Sequence, residues 1–170
     1  MSATERLPWY ALYVHSRAEK KVHELLLERG YDAYLPLITQ MKQWSDRMKK
    51  VEEPLFKSYL FVRVDIRKYF EILDLPGVVK FVSFEKKAVV VPENQINAIK
   101  KYCNEYTEED APPQEVELHE GQLVRIVGGP MAGLIGRLAQ INNKKRLVVY
   151  IESVGRYLPI NIARSKVEPA

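Results

Sequence analysis

Residues 121–141, GQLVRIVGGPMAGLIGRLAQI, hold five glycines: Gly121, Gly128, Gly129, Gly133 and Gly136. Such a run could cradle a phosphate, which needs a strand, a glycine-rich turn and a helix whose first amides meet the anion. The run after Gly133, LIGRLAQI, is β-prone, and no Gly-Lys-Ser/Thr follows the turn. A tight turn in a small β structure fits better, with Gly128 and Gly133 at positive φ and Pro130 fixing its own φ. Other reactive groups are scattered. His15, His23 and His119 lack ligand spacing, and Cys103 is the single cysteine, which excludes an intramolecular disulfide and a multi-cysteine zinc site. The densest carboxylates, Glu108-Glu109-Asp110, sit in a polar stretch and read as solvated linker. No catalytic constellation, metal site or cofactor is expected, and the reading is of a binding protein rather than an enzyme.

Charge falls in blocks. Residues 1–103 carry 18 Lys/Arg against 13 Asp/Glu, residues 104–120 carry seven acids and no Lys/Arg, and residues 121–170 carry eight Lys/Arg against two acids. Two basic blocks suit nucleic acid or an acidic protein surface, or are simply solvated faces. The N-terminus lacks a basic-then-apolar export pattern and no run is long enough to span a bilayer, so a cytoplasmic protein with no membrane partner is expected.

The elements that would position these groups form an α+β chain. The bridge NEYTEEDAPPQEVELHE marks a linker, placed at 104–117, between a first domain over 1–103 and a second over 118–170. In the first, WYALYV (9–14) predicts a strand. Ser16 and Glu19 form an S-x-x-E capping box before a helix whose buried face is Ala18, Val22, Leu25 and Leu26, and which Gly30 ends. A strand, a tip carrying Lys42, Arg47, Lys49 and Lys50, and a return follow. YLFVRV (59–64) reads as a central strand, and DIRKYFEILDLPG as a short helix capped by Asp65 and stopped by Pro76-Gly77. VVKFVSF (78–84) and AVVV (88–91) are expected to pair around Glu85-Lys86-Lys87. A third helix starts at Pro92, with Ile96 and Ile99 buried. The sheet is expected to be mostly antiparallel. The second domain shows four β-prone runs, QLVRIV, LIGRLAQI, RLVVYIE and RYLPINI, which suggest a small closed barrel.

GQLVRIVGGPMAGLIGRL resembles a KOW motif. WYALYVHSRAEKKV, EEPLFKSYLFVRV, LPGVVKFVSF and VVVPENQINAI resemble, in order, the NGN domain of NusG-like transcription elongation factors. The resemblance covers nearly the whole chain. EPLFKSYLFV looks closest to the specialised RfaH- and UpxY-type antiterminators, because general NusG usually has Pro-Gly where this chain has Lys57-Ser58.

The resemblance implies that the first domain binds the clamp helices of the RNA polymerase β′ subunit. The family's apolar patch falls on Tyr13, Phe56, Tyr59, Phe61 and Phe84; for Phe61 and Phe84, core and patch are both open readings, while Phe56, beside a turn, is read as patch. His15, Arg17, Lys20 and Lys21 match the corner that specialised paralogs turn toward non-template DNA, or form an ordinary charged helix face. The family's second DNA-facing segment is poorly matched by RKYFEILDLPG, and no residue is carried over there. The second domain's loop, Gly129, Pro130 and Met131, matches the loop that recruits NusE, a small-subunit ribosomal protein, or the factor Rho; it could equally be a plain turn. Met131 stands where the family commonly has Phe, which argues against Rho. RfaH itself can hold this domain as a helical hairpin, whereas the β-branched RLVVYIE predicts strands here. The chain is expected to act as a monomer. The alternatives are a general NusG and a KOW-containing ribosomal or RNA-binding protein.

Overall fold

The structure, a computed structural model, describes residues 7–106, 121–141, 144–161 and 166–170. Most of the expected linker lies outside the described residues. Two compact units emerge: one holds residues up to Leu37 together with Pro54–Pro92, the other Ile38–Glu53 and residues from Glu93 onward. The third helix thus groups with the C-terminal strands, whereas the sequence alone puts it in the first domain.

In the first unit, β1 (Trp9–Val14) lies inside an antiparallel sheet of order β2 (Asp32–Tyr34), β5 (Tyr59–Arg63), β1, β6 (Val78–Phe81). Side chains alternate across its two faces. Tyr10, Leu12, Val14, Leu60, Val62 and Phe81 share one core with Val22 and Leu26 of α1 (Glu19–Glu28) and Ile72 of α2 (Tyr69–Leu73). Each such fully buried side chain contributes roughly 1.5–3 kcal/mol. The other face carries Trp9, Ala11, Tyr13, Tyr59 and Phe61, in register as Ala11↔Phe61 and Tyr13↔Tyr59.

Both ends of α1 are instructive. Gly30, at φ 82°, and Tyr31 donate to the carbonyls of Leu27 and Leu26, a complete Schellman closure. The expected capping box does not form. The helix is entered through Ala18 without a side-chain cap, and Glu19 is buried with its Oε1 accepting the Ser58 N–H at 2.9 Å. Asp65 does cap a 3-10 turn, Ile66–Lys68, that leads into α2; it accepts from the Arg67 N–H and guanidinium. Those bonds hold its carboxyl down to about 2.

The 78–91 segment departs from the expected hairpin of two full strands. β6 pairs with the second half of β1 and β9 (Val90–Val91) with the first half, so both lie along one edge. Residues 83–88 leave that edge as a short hairpin of β7 (Ser83–Phe84) and β8 (Lys87–Ala88), closed at its base by Val89 N–H to Val82 O at 2.9 Å. Its two-residue turn, Glu85-Lys86, has φ 49° and 67°, the positive values that favour Asn and Gly.

In the second unit, β3 (Leu37–Trp44) and β4 (Arg47–Pro54) form a separate two-stranded ribbon. α3 (Glu93–Glu105) buries Ile96 and Ile99 as expected. The C-terminal segment is strand rather than helix: an antiparallel sheet of order β13 (Arg156–Ile160), β12 (Lys144–Ile151), β11 (Ile135–Ile141), β10 (Leu123–Ile126), β14 (Val167–Pro169). The fifth strand was not anticipated, because three residues ending in Pro carry almost no periodic signal. The glycine-rich stretch is a turn leading into β11, with no helix to receive a phosphate. Positive φ falls on Gly129 and Gly133, not on Gly128. Gly136 is needed for space: a Cβ there would sit 2.7 Å from the Val148 carbonyl oxygen.

Candidate functional site

The corner after β1 is pinned from two sides. Val14 N–H donates to Ser58 O and His15 N–H to Gly77 O, both at 2.9 Å, and Ala18 N–H closes a turn onto His15 O at 3.0 Å. Arg17 takes φ 67° within it. On this fixed backbone His15, Arg17, Lys20 and Lys21 are all exposed. Arg17, Lys20 and Lys21 are thus three exposed permanent cations within five residues, side chains of a type suited to phosphate rather than to base edges.

The five aromatics of the expected patch differ in exposure. Tyr13 and Tyr59 are half-buried neighbours across β1 and β5, edge to face at 5.4 Å, and Lys80 Nζ of β6 lies 5.9 Å from the Tyr13 ring. Phe61 is fully buried and Phe56 nearly so, their rings edge to face at 6.5 Å, with Tyr34 6.4 Å from Phe61. Phe56 follows the ribbon, but its ring turns inward, so proximity to a turn did not give exposure. Phe84 is the opposite case: it stands on the 83–88 hairpin at 72% exposure.

Phe70 was missed. It is 75% exposed on α2 and meets Tyr69 edge to face at 5.2 Å. The signal was available: Ile72 points into the core, and a residue two positions away on a helix faces the opposite side.

In the second unit, the Gly129-Pro130-Met131 turn is held by α3. Asn97 Nδ2 donates to Pro130 O at 2.6 Å and Asn94 Nδ2 to Ala132 O at 3.1 Å. Met131 is buried. A cleft of about 320 Å³ beside it is lined by Lys101, Gly128, Gly129, Pro130, Met131, Asn161 and Lys166. Among the described residues no His, Cys, Asp or Glu cluster could hold a metal, and no helix is long and apolar enough to cross a membrane.

An antiparallel α+β unit and a second unit that ends in a five-stranded antiparallel sheet, with exposed aromatic and basic side chains, have the features of a two-part binding protein. Residues 7–100 match the family model for "Transcription termination factor nusG", and residues 120–152 match "KOW motif". The first match spans more than half of the chain, and the chain belongs to the NusG family of transcription termination and antitermination factors. It is 26% identical to "Transcription termination/antitermination protein NusG" of Helicobacter pylori (strain ATCC 700392 / 26695), over 95% of this chain and 98% of that one. It is 23% identical to the protein of the same name from Thermus thermophilus, over 96% and 99%. Among solved structures, "Domain interaction in Thermotoga maritima NusG" covers 98% of this chain and 99% of its own at TM-score 0.53 and 26% identity.

Proposed function

We propose that this chain is an elongation factor that rides on transcribing RNA polymerase, holding the clamp helices of its β′ subunit through the first unit. The observation that carries this reading is Phe84: a large apolar ring, 72% exposed, presented on a hairpin whose turn residues sit at unfavourable φ. Exposed aromatics held on rigid backbone lose little entropy on docking and commonly dominate protein interfaces. Tyr13 and Tyr59 add partly open surface, while Phe56 and Phe61 are buried. His15, Arg17, Lys20 and Lys21 are the cations for non-template DNA.

The C-terminal strands of the second unit form a KOW barrel that couples to a partner such as NusE. The protein works as a cytoplasmic monomer and has no enzymatic activity. Lys57-Ser58 before Tyr59 and Met131 in the partner loop support a specialised antiterminator serving particular operons. The full-length likeness to relatives called NusG favours the second reading, a general factor.

The test is binding of the full chain to core RNA polymerase and to its isolated clamp helices. Phe84→Ala should weaken both by about 2 kcal/mol, roughly thirtyfold. Absence of binding by the folded wild-type protein would remove the polymerase reading. Transcription through operon templates with and without an upstream recruitment element then separates the specialised factor from the general one.

A further inference from the structure

One face of the C-terminal sheet carries a row of side chains that none of these surfaces uses. Successive residues of a strand point to opposite faces. Val124, Ile126, Leu147, Val149, Leu158 and Ile160 belong to the buried face. On the other face, Glu168 of β14 is opposite Arg125 of β10, Arg125 is opposite Ile135 of β11, and Tyr150 of β12 is opposite Tyr157 of β13. The register Arg137↔Val148, carried two residues further, sets Ile135 beside Tyr150. One row thus crosses all five strands, charged at its β14 end and apolar at its β13 end. Ile135 is 47% and Tyr150 44% exposed, Tyr157 is half-buried, and the two tyrosine rings lie 4.9 Å apart. Arg137 shares this face two residues from Ile135, and its guanidinium donates to Gly121 O at 3.3 Å. A single exposed apolar side chain is ordinary on a protein surface. A contiguous set with a polar rim marks an interaction surface.

We propose that this row docks an acidic protein segment, with carboxylates on Arg125 and Arg137 and a large apolar side chain seated on Ile135, Tyr150 and Tyr157. Charge complementarity sets the sign of the partner. Residues 121–170 carry eight Lys/Arg against two acids, and the two arginines here face only Glu168. A guanidinium meets a carboxylate through two parallel hydrogen bonds, which fixes orientation as well as adding strength. Tyrosine rings supply contact area while few rotors are frozen. The apolar end selects protein over nucleic acid. Ile135 has no flat face for a base, and the two tyrosine rings are tilted 45° against each other instead of lying as parallel platforms for successive bases. The inference does not rest on the partner turn, because Gly129, Pro130 and Met131 are not in the row and Met131 is buried.

The test uses the full chain and a labelled synthetic peptide repeating Asp-Glu-Leu-Phe, with a Lys-Lys-Leu-Phe peptide of the same length and oligouridine as comparison probes. Affinity is read by fluorescence anisotropy and the contact surface by amide shifts in an NMR titration. The acidic peptide should bind, and the shifts should follow Arg125, Ile135, Tyr150 and Tyr157. Tyr150→Ala should weaken binding about tenfold, the loss expected for truncating an interface anchor. Tyr150→Phe should keep most of the affinity, which separates a lost contact from a lost fold. Arg125→Glu should weaken the acidic peptide by a similar factor and favour the basic one, because like charges across an interface repel. No saturable binding of the acidic peptide by wild type would overturn the inference. So would equal affinity for the basic peptide, unchanged affinity in Tyr150→Ala, or shifts confined to the turn that holds Gly129, Pro130 and Met131. A preference for oligouridine that disappears in Tyr150→Ala would also overturn it, and would leave nucleic acid as the occupant.

Discussion

Replacing Glu19 with Ala should destabilise the first unit more than a helix-capping residue would. Glu19 is buried at the start of α1, and its Oε1 accepts the backbone N–H of Ser58, 39 positions away, at 2.9 Å. Ser58 holds φ 68° and also accepts the Val14 N–H. One carboxylate therefore ties the 56–59 turn to the corner that carries the exposed cations. Hydrogen bonds to a charged partner are worth about 1.5–3 kcal/mol, and loss of the acceptor strands a half-buried N–H. The expected loss is about 2 kcal/mol, against ~1 kcal/mol for deleting an N-cap. Glu19→Gln keeps an acceptor and should lose about half as much, since neutral bonds are roughly half as strong. Ser58→Gly, in contrast, should stabilise by about 1 kcal/mol, because only Gly meets that φ without cost. The assay is urea unfolding followed by Trp9 emission in a Trp44→Phe background, which leaves the first unit as the sole reporter. A Glu19→Ala change of under about 0.5 kcal/mol, the range of ordinary surface substitutions, would refute the reasoning.

The 83–88 turn offers a second measurement. Lys86→Gly should stabilise the hairpin by about 1 kcal/mol, seen as slower amide exchange at Val89, whose N–H closes it. Asp65 gives a pH prediction with a definite sign. Its folded pKa, about 2, is depressed below the ordinary 3.8, first by the side-chain hydrogen bond from Arg67. Its contribution is therefore present above pH 3.8 and fades as pH falls toward 2. An NMR titration of the Asp65 carboxyl should show that low midpoint, and Arg67→Ala should bring it back toward 3.8.

What was legible in the sequence was local. Gly30 ends α1 because the left-handed closure involves only residues within one turn of it. WYALYV and YLFVRV announce strands because their side chains are β-prone. The failures share one cause, which is that partners distant in the chain decide between locally equal options. S-x-x-E has the same spelling whether Glu19 turns back on its own helix or reaches out to Ser58. Phe56 and Phe84 both lie next to turns, yet one ring is buried against Phe61 and the other stands exposed on a hairpin that leaves the sheet. Val78–Val91 reads as two strands and a turn, and nothing in its composition says that β1 takes both ends and leaves the middle outside. The cations of the corner were legible as residues, but the backbone that fixes them, held by Ser58 and Gly77, was not.

That divided edge makes residues 83–88 an exchangeable cassette. The sheet's hydrogen bonds stop at Val82 and resume at Val90, and Val82 and Val89 meet across the gap. Lengthening a loop whose ends are already joined adds little entropy, each doubling costing about 0.6 kcal/mol. Relatives of this chain can therefore change the length and the tip residue of that hairpin, and with them the surface offered to a partner, while β1 keeps every neighbour it has.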